Sequence, residues 1–515
     1  MRKKAALALA LGLLCYCVAS PAQEKNGIPL TMEEAIVQAL KSNLNLAVEV
    51  IGPEIASSNI DRAREIFIPQ LGFDFGTERQ ESPSTWWLQG SGTTVSKNLN
   101  YGATLTGQLP TGGSLALSMA NYRYETNQLF QLFNPYYRSS LSISFNQPLL
   151  RNFGPKIAGR EILIAKQGYI QSEAQLRQAM MNVVYQVEEA YWRLVFAVEN
   201  LKVSRQSLDL ARELLTKTKR EADVGQTAPI EVLNAEATVA QREADIIQAE
   251  AQVDRSDELL RALLDLRPEE AGAGVAVSPV DKPVMIPLKV TYDELMEKAL
   301  INRPELQTAR SMIETRKIDF TVAKNRLLPN LDLELLYYSP GIAGDKLIYQ
   351  NDDPFTGIVI GKEEGTPWDA VRDSVKFLYN NWTVSLNLSI PFADLFSKAG
   401  YTAARLDVDR SQAQLKLQEQ QISLEISDAV RSLETDAKRV EAYRIARELA
   451  EKRLEAETKK LGVGLTTNYF VLEYQERLAN ARSAEISALV DYNISLARVE
   501  KASGEILRNH NINIR

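Results

Sequence analysis

Residues 176–215 read LRQAMMNVVYQVEEAYWRLVFAVENLKVSRQSLDLARELL. Apolar or small residues stand at Leu176, Met180, Val183, Val187, Ala190, Leu194, Ala197, Leu201, Ser204, Leu208, Ala211 and Leu215, in steps that alternate between four and three. That is a heptad repeat, the spacing that keeps one seam of a helix against a partner. Val184, Tyr191 and Val198 form a second stripe beside it, as a helix flanked on both sides needs. The pattern predicts a helix from about Ala158 to Ala222, roughly 100 Å long at 1.5 Å per residue. Helices of that length exceed any ordinary globular domain, although a simple two-stranded coiled coil would show the same heptads.

Outward from this stretch the chain repeats itself. At an offset of 239, Leu176 meets Leu415, Val183 meets Ile422, Ala190 meets Ala429, Leu215 meets Leu454, and Val224-Gly225 meets Val463-Gly464. At an offset of 260, Thr31-Met32-Glu33-Glu34 meets Thr291-Tyr292-Asp293-Glu294, and Pro69-Gln70-Leu71 meets Pro329-Asn330-Leu331. Both threonines precede a short acidic amphipathic stretch, the pattern of a helix N-cap. Each half therefore runs short helix, helix, strands, very long helix, glycine turn, long returning helix. A second long helix is expected from about Tyr401 to Lys460, and Arg267 to Pro287, rich in Gly, Ala, Val and Pro, reads as a connector.

Between the helices, strict alternation takes over. Leu71, Phe73 and Phe75 are separated by Gly72 and Asp74. Leu141, Ile143 and Phe145 are separated by serines, and Leu331, Leu333, Leu335 and Tyr337 mostly by acids. Trp382, Val384, Leu386, Leu388 and Ile390 are separated by Thr, Ser and Asn. Runs of about ten residues with one apolar face suit transmembrane barrel strands, though a half-buried sheet in a soluble protein alternates in the same way. Trp86, Trp87, Trp382 and many tyrosines near strand ends favour the membrane. Pro69, Pro329, Pro148 and Pro391 mark the changes of backbone type between strand and helix. A further hairpin candidate, Leu99 to Leu105 and Leu115 to Met119 around Pro110-Thr111-Gly112-Gly113, either joins the wall or stands above it. A long polar excursion is expected from Ser339 to about Phe377.

The ends and totals set the compartment and exclude other chemistry. Arg2, Lys3 and Lys4 precede an apolar run to Ala19 and then Ser20-Pro21-Ala22, a secretory leader with the mature start near Gln23. Cys15 and Cys17 both lie inside it, so the mature chain has no disulfide, thiolate site or cysteine nucleophile. Removing three basic residues takes the formal charge of the 515-residue chain from −7 to −10, and that acidity argues against nucleic acid. The only histidine, His510, excludes a histidine triad or a His-rich metal site by count. Acids and bases scatter along helices as solvated faces do. No phosphate loop or Ser/His constellation is present, so an enzyme is not expected and no cofactor is implied. A purely adhesive or spacer protein would have no need of the alternating strands.

Four groups of residues now form a pattern. They are Gln147-Pro148-Leu149-Leu150-Arg151-Asn152-Phe153-Gly154 after a strand; the paired turns Val224-Gly225-Gln226-Thr227 and Val463-Gly464-Leu465-Thr466; Thr31-Met32-Glu33-Glu34-Ala35; and Val471-Leu472-Glu473 with Asp491-Tyr492-Asn493. In this order the chain resembles the TolC family of outer-membrane efflux proteins over essentially its whole mature length. The resemblance implies a mainly α fold with membrane β: a homotrimeric α-helical barrel below a transmembrane β-barrel in outer-membrane lipid, each chain built as an internal two-fold repeat. It implies a leader at 1–22, a first repeat at 23–270 (strands about 70–148, helical hairpin about 156–266) and a connector at 271–287. The second repeat follows at 288–515 (strands about 330–391, helical hairpin about 400–507). It implies a duct working with a periplasmic adaptor (a membrane fusion protein) and an inner-membrane pump, in efflux or type I secretion.

The family counterparts of the two glycine turns contact the adaptor. An entrance constriction is expected at Glu473 or at Phe470, which stands where the family often has another acid. A solvated helix face would equally account for Glu473, and Glu231, its counterpart in the first half, suits the first turn of a helix. With two strands per half, four per chain are too few to close around a lumen, and a closed barrel is what lipid requires. Cyclic association resolves this.

Overall fold

The computed structural model describes residues 28–85, 92–266 and 276–512. The leader, Trp86, Trp87 and residues 267–275 of the connector region lie outside them. In chain order the first half contains β1 (Ile28–Leu30), α1 (Met32–Ser42), α2 (Leu44–Arg64), β2 (Gln70–Pro83), β3 (Thr93–Gln108), β4 (Ser114–Thr126), β5 (Phe133–Pro148), α3 (Pro155–Ala158), α4 (Arg160–Asp223) and α5 (Pro229–Leu264). The second contains β6 (Val277–Pro279), α6 (Tyr292–Asn302), α7 (Pro304–Asn325), β7 (Asn330–Tyr349), β8 (Val359–Glu363), α8 (Pro367–Val375), β9 (Asn381–Ser389), α9 (Phe392–Ser397), α10 (Ala399–Gly462), α11 (Asn468–Ser503) and α12 (Ile506–Asn509).

The heptads form the helices they predict. α4 and α10 each run 64 residues, and α5 and α11 each run 36. Along α4 the seam residues Leu176, Val183, Val187, Ala190, Leu194, Ala197, Leu208 and Ala211 are buried, and along α10 so are Ile422, Ile426, Ala429, Leu433 and Val440. Thr31 and Thr291 both cap their helices, each accepting from the backbone N–H three residues on while Glu34 or Glu294 reaches back. Among the described residues, no helix is long and apolar enough to cross a membrane.

The halves are joined where β1 pairs in parallel with β6. Beneath that pair lies Tyr191, fully buried in α4. Its single O–H is shared between the Leu30 carbonyl at 3.0 Å and Asp281 Oδ2 at 2.8 Å, its oxygen accepts from the Asp281 N–H at 3.2 Å, and Asp281 Oδ2 also accepts from the Met32 N–H at 2.8 Å. Burial pushes the Tyr191 phenol up, so it remains a donor.

The sheet corrects the strand count. β2, β3, β4, β5, β7 and β9 follow one another in one antiparallel sheet, with β8 pairing only the far end of β7. The hairpin β3–β4 lies inside the sheet, paired to β2 on one side and β5 on the other. Each chain therefore supplies six long strands rather than four. The excursion from Ser339 is also corrected: β7 continues to Tyr349, and Pro340 to Gly344 pair with Ser140 to Tyr136 of β5. Gly341 and Gly344 suggest a loop but serve close approach. A Cβ on Gly341 would run into the Ala370 carbonyl of α8, and one on Gly344 would lie 2.6 Å from the Pro135 carbonyl. Within one chain the sheet is open, with β2 and β9 at its edges.

Candidate functional site

The two glycine turns have the same construction. At the first, Gly225 takes φ +74°, its N–H donates to the Ala222 carbonyl at 3.0 Å, and the Gln226 N–H donates to Glu221 at 2.8 Å. At the second, Gly464 also takes φ +74°, its N–H donates to Leu461 at 3.1 Å, and the Leu465 N–H donates to Lys460 at 3.0 Å. Both are Schellman caps, which satisfy the last carbonyls of a helix through one left-handed residue. A Cβ at either glycine would meet nothing within 4 Å. Glycine is therefore required by backbone conformation alone, and the space around it is open.

Three large apolar side chains stand at that open end among polar ones such as Asp223, Gln226 and Lys460. Val224, Val463 and Leu465 are 69%, 70% and 76% exposed, with Ile230 and Leu233 exposed behind them. The turns are held side by side by a core of Ala211 and Leu214 from α4, Ala235 from α5, and Val471 and Leu472 from α11. Buried Asn468, at the start of α11, donates from Nδ2 to Thr218 Oγ1 at 3.0 Å and to Glu221 Oε2 at 3.4 Å on α4. Thr466 donates at 2.6 Å to Glu457 Oε1, and that bond, with Lys460 behind it, holds the Glu457 carboxyl below its usual range. Arg242 of α5 bridges to Glu476 of α11 at 3.1 Å. Both predicted turns thus belong to one packed unit.

Glu473 lies on α11 one turn past Tyr469 and Phe470, and it bonds Arg477 Nη2 at 2.5 Å on its own helix. With Tyr469, Leu472 and Glu476 it lines a groove against Asn234, Ala237 and Thr238 of α5. Phe470 is 45% exposed, its ring edge-on to Tyr469 at 5.6 Å. Glu231 occupies the first turn of α5.

A group that sequence reasoning set aside sits far from the turns. His510, just beyond α12, shares a 2.7 Å hydrogen bond from Nε2 with Glu188 Oε1, and Glu188 is buried in α4. Glu500 of α11 lies with them, and Glu33 of α1 also acts on the imidazole. The bond to Glu188 raises the His510 pKa above 6.5, and burial raises that of Glu500. A raised histidine contributes stability that is complete below its unfolded value and lost as pH climbs through the folded one. A raised carboxyl acts in the same sense, because burial favours its neutral form. Thermal unfolding should therefore occur at lower temperature at pH 8.5 than at pH 6, and His510→Gln should shrink that difference. An equal pH dependence in the variant would remove His510 as its cause. The only signal in the sequence was a lone histidine in an acidic chain.

The profile of a family described as outer membrane efflux protein matches residues 118–265 and 295–505. The outer membrane protein TolC of Vibrio cholerae serotype O1 is 23% identical over 336 residues, 65% of this chain and 70% of that protein. Among solved structures, the outer-membrane channel OprN superposes with a TM-score of 0.64 at 17% identity, covering 92% of this chain and 90% of that one. The Campylobacter jejuni CmeC outer membrane channel gives 0.64 at 16% identity, covering 94% and 90%. The likeness to these structures is one of fold.

Proposed function

The chain belongs to the outer membrane efflux protein family, and from that premise we propose that three copies form one duct carrying solutes from the periplasm to the exterior. Its place is the outer membrane, as that family's is. The duct works with a periplasmic adaptor, a membrane fusion protein, and an inner-membrane pump of an efflux or type I secretion system. The observation that carries this reading is the pair of identical Schellman turns, which present Val224, Val463 and Leu465 to open space at one end of the molecule. Exposed apolar residues grouped on a rigid end mark a docking surface, and the segments 224–227 and 463–466 are its contacts. Matching helix lengths in the two halves support an internal two-fold repeat. The open sheet edges support cyclic association, since unpaired backbone groups in lipid cost several kcal/mol each. Light scattering of detergent-solubilised protein, corrected for bound detergent, should give three chains per particle; a monomer or dimer would overturn the duct.

The entrance is assigned to α11 just beyond the second turn. Three copies of Glu473 around an axis would favour cations, with Arg477 offsetting part of that charge. In planar bilayers, Glu473→Gln should weaken cation preference, Arg477→Gln should strengthen it, and Glu231→Gln should do much less. If Phe470 instead narrows the pore, Phe470→Ala raises conductance. Unchanged selectivity in the first variant and unchanged conductance in the last would place the constriction elsewhere.

A further inference from the structure

The β3–β4 hairpin bears on the bore of the channel. Partner residues across the sheet form rows, and one row runs Leu71, Leu105, Leu117, Ile143, Tyr337, Trp382 through all six long strands. Leu71, Leu105, Leu117, Ile143 and Trp382 of that row are exposed. The adjacent row on the opposite face runs Gly72, Thr104, Ser118, Ser142, Tyr338, Asn381, with Ser118 and Ser142 sharing a hydroxyl hydrogen bond at 2.6 Å. Across these two rows the hairpin therefore continues one apolar and one small or polar face of the sheet; farther from the long helices, α8 covers part of the apolar face, with Ser374 Oγ 4.0 Å from Met119 Sδ.

The register also gives the strand tilt. A line across the sheet from Gln70, the helix-side end of β2, passes Thr106, Ala116, Ser144 and Leu336 and reaches Thr383. On the successive strands these residues stand 0, 2, 2, 4, 6 and 6 positions from the helix-side ends. Six residues of stagger over five strand spacings, at about 3.3 Å per residue and 4.8 Å per spacing, is a tilt of roughly 40°. Closed transmembrane barrels have tilts of about 35–45°. The edges suit closure as well. Antiparallel alternation over six strands makes β2 leave the helices and β9 return to them, so β9 of one copy meets β2 of the next antiparallel.

We propose that β2 and β9 pair between copies of this chain, and that the wall contains 18 strands, six from each, with β3–β4 as part of it. The count rests on the trimer argued above. Four strands per chain would have closed with twelve; because barrel diameter grows roughly linearly with strand number, the exit is about half again as wide.

The test places a single fluorophore on the full-length protein in liposomes containing lipids brominated on their acyl chains. Cysteine replaces Leu117 on β4, Leu386 on β9 or Ser118 on the opposite face of β4, with Leu105 on β3 as a second hairpin site should the Leu117 variant fail to insert. Acyl bromine is expected to quench labels at Leu117 and Leu105 to within about twofold of Leu386, and to quench Ser118 several-fold less. Quenching at Leu386 with none at Leu117 and Leu105 would remove the hairpin from the wall and leave the trimer standing. Quenching at the hairpin sites in particles that light scattering shows are not trimers would overturn the count of 18 through its other premise.

Discussion

The double variant Gly225→Trp, Gly464→Trp is expected to lose export by an order of magnitude or more while still forming trimers in the outer membrane. Both glycines adopt φ +74°, where a side chain costs about 1–2 kcal/mol. Neither has a neighbour that a Cβ would strike, and the four helices below are held by their own cores. Two strained turns together sacrifice a few kcal/mol locally, far from the contacts that bury Leu194 or Ile426. An indole on each turn would also project into the space where the adaptor is proposed to sit. Gly225→Ala, Gly464→Ala separates the two effects, because it strains the turns equally but adds little bulk. Export mostly retained with alanine and lost with tryptophan, in matched amounts of assembled protein, identifies an obstructed surface. Export preserved in the tryptophan pair would reduce these turns to helix reversals.

The second large effect is expected far from the turns, at Tyr191. Its ring is fully buried in the core with Val187, Leu194, Leu260 and Leu264, and its hydroxyl holds Asp281 and the Leu30 carbonyl. Tyr191→Ala should cost about 3–5 kcal/mol, the range for emptying a large aromatic site. Tyr191→Phe keeps the packing but removes the donor from Asp281, whose carboxylate would retain only the Met32 N–H among these bonds; about 1–3 kcal/mol is expected. Chemical denaturation followed by circular dichroism reads both. Equal stability of Tyr191→Phe and wild type would mean that water replaces the hydroxyl.

Helices were legible because their signal is local. Leu176 to Leu215 carry their period within one segment, and the structure buries most of that seam; Thr31 and Thr291 announce their caps through Glu34 and Glu294. The core of each strand was legible for the same reason, as Trp382 to Leu388 show. What the sequence hid depended on partners distant along the chain. Pro340, Gly341 and Gly344 resemble a loop until β5 and α8 are set against them. The place of β3–β4 inside the sheet follows only from pairing on both sides. At the candidate site, the glycine turns were evident from their composition and spacing. Asn468 reaching Thr218, Arg242 reaching Glu476, and Glu188 meeting His510 join residues hundreds of positions apart, with side chains common on any solvated helix.

The equal lengths of the paired helices, 64 with 64 and 36 with 36, bear on how such a chain can change over generations. Each residue inserted into one long helix would carry its turn about 1.5 Å out of level with the other and rotate it by 100°. The core shared by Leu214, Ala235 and Leu472 would then lose its register. A single insertion would thus cost packing even where it is harmless to the helix that receives it. Helix length is therefore a coupled property of the two halves, kept in register only when both lengthen or shorten together, seven residues at a time and on the ascending and returning helices alike.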